Sequence, residues 1–241
     1  MDKKPQPDEI KGVRPWGGRL TSTDEEYLLR KPQRLGKELL RVLRISWEYN
    51  RGIFAFRKTT NCITVFGSAR FPEDHEYYQL GREIGQQLAL HDFTVMTGGG
   101  PGLMEAVNRG AKDKNGHSIG CNIEISLEEF PNPYLDQWIT FRYFFVRKFM
   151  LTKYSSGFIF LPGGFGTLDE LFEMLTLVQN KKMTPFPLVL VGIRYWQPLI
   201  DYMKQYLLGY KTIDPQDLEK FTLVDSPVEA VHCIQHALHL K

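Results

Sequence analysis

Three glycine-bearing turns stand out as places where this chain could hold a ligand: Gly67-Ser68-Ala69-Arg70, Thr97-Gly98-Gly99-Gly100-Pro101-Gly102 and Pro162-Gly163-Gly164-Phe165-Gly166-Thr167. Each follows a short apolar run and precedes a helical pattern. Without a Cβ, glycine lets backbone N–H groups come close to a ligand, and the N-terminus of the following helix adds partial positive charge. Together these effects favour a phosphate. One such turn would serve plain chain reversal, but three at the same edge of one sheet point to phosphate or nucleotide binding. The sequence has neither GxxxxGK[ST] nor GxGxxG. Hydrolysis of nucleoside triphosphates on a P-loop and ordinary dinucleotide redox chemistry are therefore disfavoured, and a mononucleotide or phosphosugar fits better.

Charged residues near these turns could act on such a ligand. Glu170 follows Gly166 by four positions, which the spacing places in the first turn of the next helix, with its side chain directed back over the crevice. Asp169 beside it is read as a complement to the helix dipole. Arg147 and Lys148 fall on a helix over residues 144–154. A helix-borne arginine among Phe144, Phe145 and Phe149 is ordinarily a surface or ion-pair residue, and spacing alone does not bring it to the turns.

The elements that must position these groups alternate. Residues 62–66 (CITVF), 93–96 (FTVM), 118–122, 157–161 (GFIFL) and 188–191 (LVLV) are short apolar runs of the kind buried on both faces of a parallel sheet. With helical patterns between them they predict an α/β fold: a doubly wound, Rossmann-like parallel sheet with helices on both faces. In such a sheet the binding crevice lies beyond the carboxyl ends of the strands, where the three turns fall. A last strand over 221–224 precedes Ser226-Pro227-Val228-Glu229, an N-cap serine, proline at the first helical position and glutamate at the third. Upstream, Leu39, Leu40, Leu43, Trp47 and Phe54, widened by Val42 and Ile45, mark an amphipathic helix over 37–56, weakened by Gly52. Arg41, Arg44, Arg51, Arg57 and Lys58 read as its solvated face. Residues 1–18 are polar and interrupted by proline and glycine, which predicts a mobile arm. The organisation expected is an arm (1–18), a basic helical extension (19–60) and a catalytic domain (61–241).

Length and charge set the outer bounds. A chain of 241 residues has room for one domain plus an extension. Its net charge of +2 combines 14 basic and 8 acidic side chains in residues 1–60 with 16 and 20 in residues 61–241. A global nucleic-acid footprint is not expected. With no apolar run near the roughly 20 residues a bilayer span needs, and no apolar leader in MDKKPQPDEIKG, a soluble cytoplasmic protein without membrane contact is expected. Cys62, Cys121 and Cys233 are widely separated and form no CxxC, so they read as thiols rather than a disulfide framework or zinc site.

The run from Arg147 to Glu170, RKFMLTKYSSGFIFLPGGFGTLDE, preceded by TGGGPGLMEAV at 97–107, closely resembles the Lonely Guy (LOG) family of nucleoside-monophosphate phosphoribohydrolases, in its long bacterial form. That family is often labelled "possible lysine decarboxylase", and its hallmark is an RK pair followed by PGGxGTxxE. The resemblance covers about residues 60–210. It implies hydrolysis of the N-glycosidic bond of AMP or an N6-substituted, cytokinin-type AMP to free base and ribose 5-phosphate. It also implies catalytic roles for Arg147 and Glu170. Residues 163–167, with Pro162, Gly163, Gly164, Gly166 and Thr167, would hold the 5′-phosphate. Gly67, Ser68, Gly99, Gly100, Gly102 and Lys148 would line the nucleotide pocket, with Met104 and Glu105 at its edge. Two departures from plant members fall at the base end: the shorter GGGPGLM, and Leu151 where those members carry methionine.

No cofactor or metal is expected. A pyridoxal-phosphate enzyme needs a Schiff-base lysine and a partner for the pyridine nitrogen, and nothing around Lys148 or Lys153 suggests them. His232, His236 and His239 lie at helical spacing but read as an exposed stripe. The alternative function is a non-catalytic nucleotide- or cofactor-binding sensor or carrier on the same fold. Aromatic residues over 138–149 exceed what one small helix buries, and with the resemblance they point to a homodimer or larger homo-oligomer.

Overall fold

The computed structural model describes residues 35–124, 131–182 and 186–239. The expected arm (1–18) and the start of the extension (19–34) lie outside these residues. Within them, strands β1 (Cys62–Phe66), β2 (Thr94–Thr97), β3 (Ser118–Ile123), β4 (Gln137–Phe141), β5 (Gly157–Phe160), β6 (Leu188–Val191) and β7 (Thr222–Val224) form one seven-stranded sheet in the order β4-β3-β2-β1-β5-β6-β7. Every pairing is parallel.

The helices are α1 (Leu35–Phe56), α2 (Glu76–Leu90), α3 (Leu103–Asp113), α4 (Phe144–Lys153), α5 (Phe165–Gln179), α6 (Ile193–Tyr202) and α7 (Pro227–His239). Strand alternation assigns them to two layers. Ile63 and Val65 of β1 and Val189 of β6 join the core formed with α2, α3 and α7. Their neighbours Cys62, Phe66, Leu188 and Leu190 join the other core with α4, α5, α6 and Phe56 of α1. Burial on both faces explains why the strands read as continuous apolar runs.

Two parts of the sequence reading need correction. Edge strand β4, which holds Trp138–Phe141 of the aromatic stretch over 138–149, was not among the expected strands, whereas the helix expected from residue 144 is present as α4. On helix α1 the basic residues Arg44, Arg51, Arg57 and Lys58 are exposed as expected, but the apolar stripe does not face inward. Leu39, Leu43, Trp47 and Phe54 are 57–65% exposed, whereas Arg41, Glu48, Gly52 and Phe56 are buried. Gly52 has a packing role besides its low helix propensity. It seats α1 against Met150, which a Cβ there would overlap. Buried Glu48 accepts backbone N–H groups of Arg142 and Tyr143 at 3.0 and 3.2 Å, and Arg51 donates to the Thr140 carbonyl at 2.7 Å. Burial pushes the Glu48 carboxyl up, while the two N–H donors act against that shift. The extension thus docks on β4 and α4 through polar anchors, an arrangement that apolar periodicity does not reveal.

Helices α2 and α3 cross at backbone distance. A Cβ on Gly85 would overlap the Val107 carbonyl oxygen, and one on Gly110 the Arg82 carbonyl oxygen. Since α3 begins at one of the ligand-type turns, this crossing sets where that turn lies. Gly110→Ala is expected to destabilise the fold by about 1–3 kcal/mol, as overpacking does, read as a lower urea midpoint; an unchanged midpoint would mean that the helices separate without cost.

Candidate active site

The sheet builds outward from β1 to β4 and then returns to β5 on the other side of β1, so its switch point lies between β1 and β5. Open parallel sheets bind ligands in that crevice. The three glycine-bearing turns leave the adjacent strands β2, β1 and β5, and Ser68 ties them together. Its N–H donates to the Pro162 carbonyl at 3.1 Å, and its carbonyl accepts the N–H of Leu103 at 2.9 Å. Gly102, at φ +66°, lies so close to Ser68 and Ala69 that a Cβ would overlap their backbone.

Beneath the triple-glycine turn is a buried polar cluster that the sequence reading missed. Thr97 Oγ1 donates to Asn108 Oδ1 at 2.6 Å and accepts the N–H of Gly99 at 2.9 Å. Asn108 Nδ2 donates to Ser118 Oγ at 2.8 Å. Asn132 donates from Nδ2 to the Gly100 carbonyl at 3.1 Å and from its backbone N–H to the Gly99 carbonyl at 2.9 Å. With Gly99 at φ +72°, these bonds hold a backbone shape that side-chain-bearing residues rarely adopt. A usable sequence signal was Asn108, a polar residue between Val107 and Gly110 on the buried face of α3.

Met104 and Arg147 cover this turn. The Met104 thioether lies against Gly98 and Gly100, and the Arg147 guanidinium lies against Gly98, each so close that a Cβ would overlap it. Arg147 Nε donates to the Cys121 carbonyl of β3 at 2.7 Å, which fixes the guanidinium beside the end of β2. Its burial pushes the guanidinium below its ordinary value, and the nearby Cys121 and Glu170 oppose that shift. At the pocket edge, Glu105 accepts the Tyr78 hydroxyl at 3.0 Å.

On the β5 side, the Gly164 carbonyl accepts the N–H groups of Thr167 and Leu168, both at 3.0 Å, opening α5. The Thr167 hydroxyl folds back against Gly163, which has no room for a Cβ. The N–H groups of Gly164, Phe165 and Gly166 find no backbone acceptor among the described residues, as expected of helix-starting donors. Phe165 is 92% exposed at the mouth. Because α5 begins at Phe165, Glu170 falls in its second turn rather than the first, and it is only 5% exposed. Glu170 Oε2 makes no hydrogen bond among the described residues, and Lys148 Nζ is 3.9 Å away. Lys148 is held instead by Asp169 at 2.8 Å and Glu173 at 2.6 Å. Burial raises the Glu170 carboxyl to about 7, against the pull of Lys148 and Arg147.

All the residues singled out from the sequence therefore gather at one sheet edge, although Lys148 faces carboxylates more than open crevice. The histidine stripe does not join them: His232 and His236 are exposed on α7, far along the chain from the turns. No group of three or more His, Cys, Asp and Glu among the described residues is arranged to hold a metal.

The arrangement defines a Rossmann-type α/β protein with its crevice at the switch point and one unbonded carboxylate buried in it. The family model described as "Possible lysine decarboxylase" matches residues 104–234. The chain is 31% identical over 182 residues to the cytokinin riboside 5′-monophosphate phosphoribohydrolase of Mycobacterium tuberculosis, covering 70% of this chain and 90% of that one. It is 32% identical over 142 residues to the pyrimidine/purine nucleotide 5′-monophosphate nucleosidase of Escherichia coli (strain K12), covering 55% of this chain but only 31% of that longer protein. The molybdenum cofactor carrier protein from Chlamydomonas reinhardtii shares the fold, with a TM-score of 0.56 at 21% identity over 75% of this chain and 99% of that one. The chain belongs to the Lonely Guy family, to which the description "possible lysine decarboxylase" is attached.

Glu170 has a consequence for stability. With its carboxyl raised from 4.5 to about 7, the folded state holds a proton that the unfolded chain releases, so stability present below pH 4.5 is lost as pH rises through about 7. Glu170→Gln is expected to raise the melting temperature at pH 8, reflecting up to about 3 kcal/mol, and to have little effect at pH 4; equal melting temperatures at pH 8 would contradict this.

Proposed function

We propose that the chain hydrolyses the N-glycosidic bond of a purine nucleoside 5′-monophosphate, AMP or an N6-substituted AMP, to free base and ribose 5-phosphate. The observation that carries this reading is buried Glu170, held without a hydrogen bond beside the α5 phosphate cradle and within electrostatic reach of Arg147. A mere binder has no use for a carboxylate kept at such cost. The named activities of the Mycobacterium tuberculosis and Escherichia coli relatives support the same chemistry.

The 5′-phosphate sits at the N-terminus of α5, on the N–H groups of Gly164, Phe165 and Gly166 and the Thr167 hydroxyl. The base then extends toward the β2 turn, with Gly67, Ser68, Gly99, Gly100 and Gly102 along its path and Met104 and Glu105 at its edge. As the C1′–N bond breaks, the sugar gains oxocarbenium character and the electron pair leaves with the base. Ionised Glu170 stabilises that cation and takes a proton from the attacking water. The water oxygen bonds to C1′, and the proton passes by way of Glu170 to the base. Arg147, over the β2 turn, offsets the negative charge on the departing base. Lys148 keeps Glu170 ionisable near neutral pH.

We place the enzyme in the cytoplasm as a homodimer. The thiols Cys62, Cys121 and Cys233, free of disulfides, fit a reducing compartment, and no helix among the described residues is long and apolar enough to cross a membrane. The exposed stripe of Leu39, Leu43, Trp47 and Phe54 supports pairing with a second copy. Light scattering should give twice the 28.0 kDa chain mass, and a Leu43→Glu/Trp47→Glu variant should halve it; a monomeric parent chain would refute the dimer.

Incubation with a panel of nucleoside 5′-monophosphates, followed by chromatography of free base, tests the activity. Release of base from AMP or an N6-substituted AMP is expected, with kcat/KM rising with pH as Glu170 ionises through about 7. Glu170→Gln and Arg147→Ala should each lower turnover about 100-fold or more with the fold retained. Binding of AMP without cleavage of any monophosphate would replace this reading with a nucleotide sensor or carrier.

A further inference from the structure

Tyr195, on the first turn of α6, lies outside every motif that marks the site, yet its hydroxyl donates to the Gly163 carbonyl at 2.5 Å. The ring is 37% exposed and has two aromatic neighbours. It packs edge-on against Trp196, with centroids 5.0 Å apart, and against Tyr77 at 6.5 Å. Trp196 is fully buried and donates from Nε1 to the Val191 carbonyl at 3.2 Å. Helix α6 is itself anchored, since the Ile193 N–H donates to Asp225 Oδ1 at 2.6 Å.

The peptide geometry gives this bond a consequence at the phosphate cradle. In a trans peptide the C=O and the following N–H point in opposite directions, and the chain has no cis peptide bond among the described residues. Drawing the Gly163 carbonyl toward Tyr195 therefore turns the Gly164 N–H away from it. One residue earlier, the Pro162 carbonyl is held by the Ser68 N–H at 3.1 Å, which fixes the Gly163 N–H in the same manner. Gly163 and Gly164 adjoin one another, so the peptide between them can rotate at little steric cost unless something holds its oxygen. Among the described residues, the Tyr195 hydroxyl is the group that does so.

We propose that Tyr195 is a positioning residue for recognition of the 5′-phosphate: its hydroxyl locks the Gly163–Gly164 peptide so that the Gly164 N–H stays aimed with those of Phe165 and Gly166 into one anion cradle. This deepens the nucleotide-monophosphate reading and rests on it. The residue touches no reacting atom. Its loss should weaken binding of phosphate-bearing ligands while leaving binding of the unphosphorylated nucleoside and the chemical step unchanged.

Tyr195→Phe removes only the hydroxyl and keeps the ring packing. Calorimetry with ribose 5-phosphate and, separately, with adenosine reads the proposal without requiring turnover. Affinity of the variant for ribose 5-phosphate should fall about five- to tenfold, the worth of one hydrogen bond, with adenosine binding unchanged and the fold retained. In the nucleotide assay KM should rise by a similar factor at constant kcat. Equal ribose 5-phosphate affinity in parent and variant overturns the positioning role while leaving the monophosphate reading intact. Parallel loss for ribose 5-phosphate and adenosine also overturns it, because that is what general loosening of the crevice would produce. A parent protein that binds adenosine but not ribose 5-phosphate defeats the phosphate cradle itself, and the role of Tyr195 with it.

Discussion

The two backbone hydrogen bonds of Ser68 hold the site together. The N–H reaches the turn after β5, and the carbonyl reaches the start of α3 after β2. Because β1 is central, with β2 on one side and β5 on the other, a single residue at its end can bridge both neighbours. The geometry leaves no room for side chains at the junction. Gly102 must approach the backbone of Ser68 and Ala69, and Gly67 must approach Leu103. The glycines are thus required twice, once to admit a ligand and once to let three turns share a small volume.

Around that junction the site divides its electrostatics between two sides. On the β5 side, unpaired helix-terminal N–H groups offer positive potential without a mobile cation. On the β2 side, Arg147 supplies a full charge whose direction is set by its bond to the Cys121 carbonyl. Glu170 lies buried within reach of both Arg147 and Lys148, with its carboxyl raised to about 7. The arrangement is costly for the folded protein, because a buried carboxylate lacking a hydrogen bond is poorly solvated. A catalytic group that exchanges protons near neutral pH requires that environment.

Much of the fold was legible because burial on both faces leaves a plain trace. CITVF and LVLV coincide with β1 and β6, and Ser226-Pro227 marks the start of α7. Edge strand β4 escaped because one of its positions, Trp138, is exposed and its residues run directly into the aromatic start of α4. The orientation of α1 escaped for a different reason. Its docking depends on Glu48, Arg51 and a bare Gly52, whereas apolar periodicity pointed to the face that remains exposed on the single chain.

The sequence alone determined the alternation of strands and helices, the three glycine-bearing turns and the pairing of an RK dipeptide with PGGFGTLDE, since these depend on residue type and local spacing. Which of those groups meet was decided by tertiary structure. Arg147 reaches the β2 turn because α4 packs over β3; Glu170 becomes a buried carboxylate near Lys148 and Arg147 because α5 turns it inward; Asn108, Asn132 and Tyr195 acquire their roles from partners 10 to 32 residues away in the chain. Hydrogen bonds and desolvation act through space over a few ångströms, and a linear pattern carries no record of those distances until the sheet order is set.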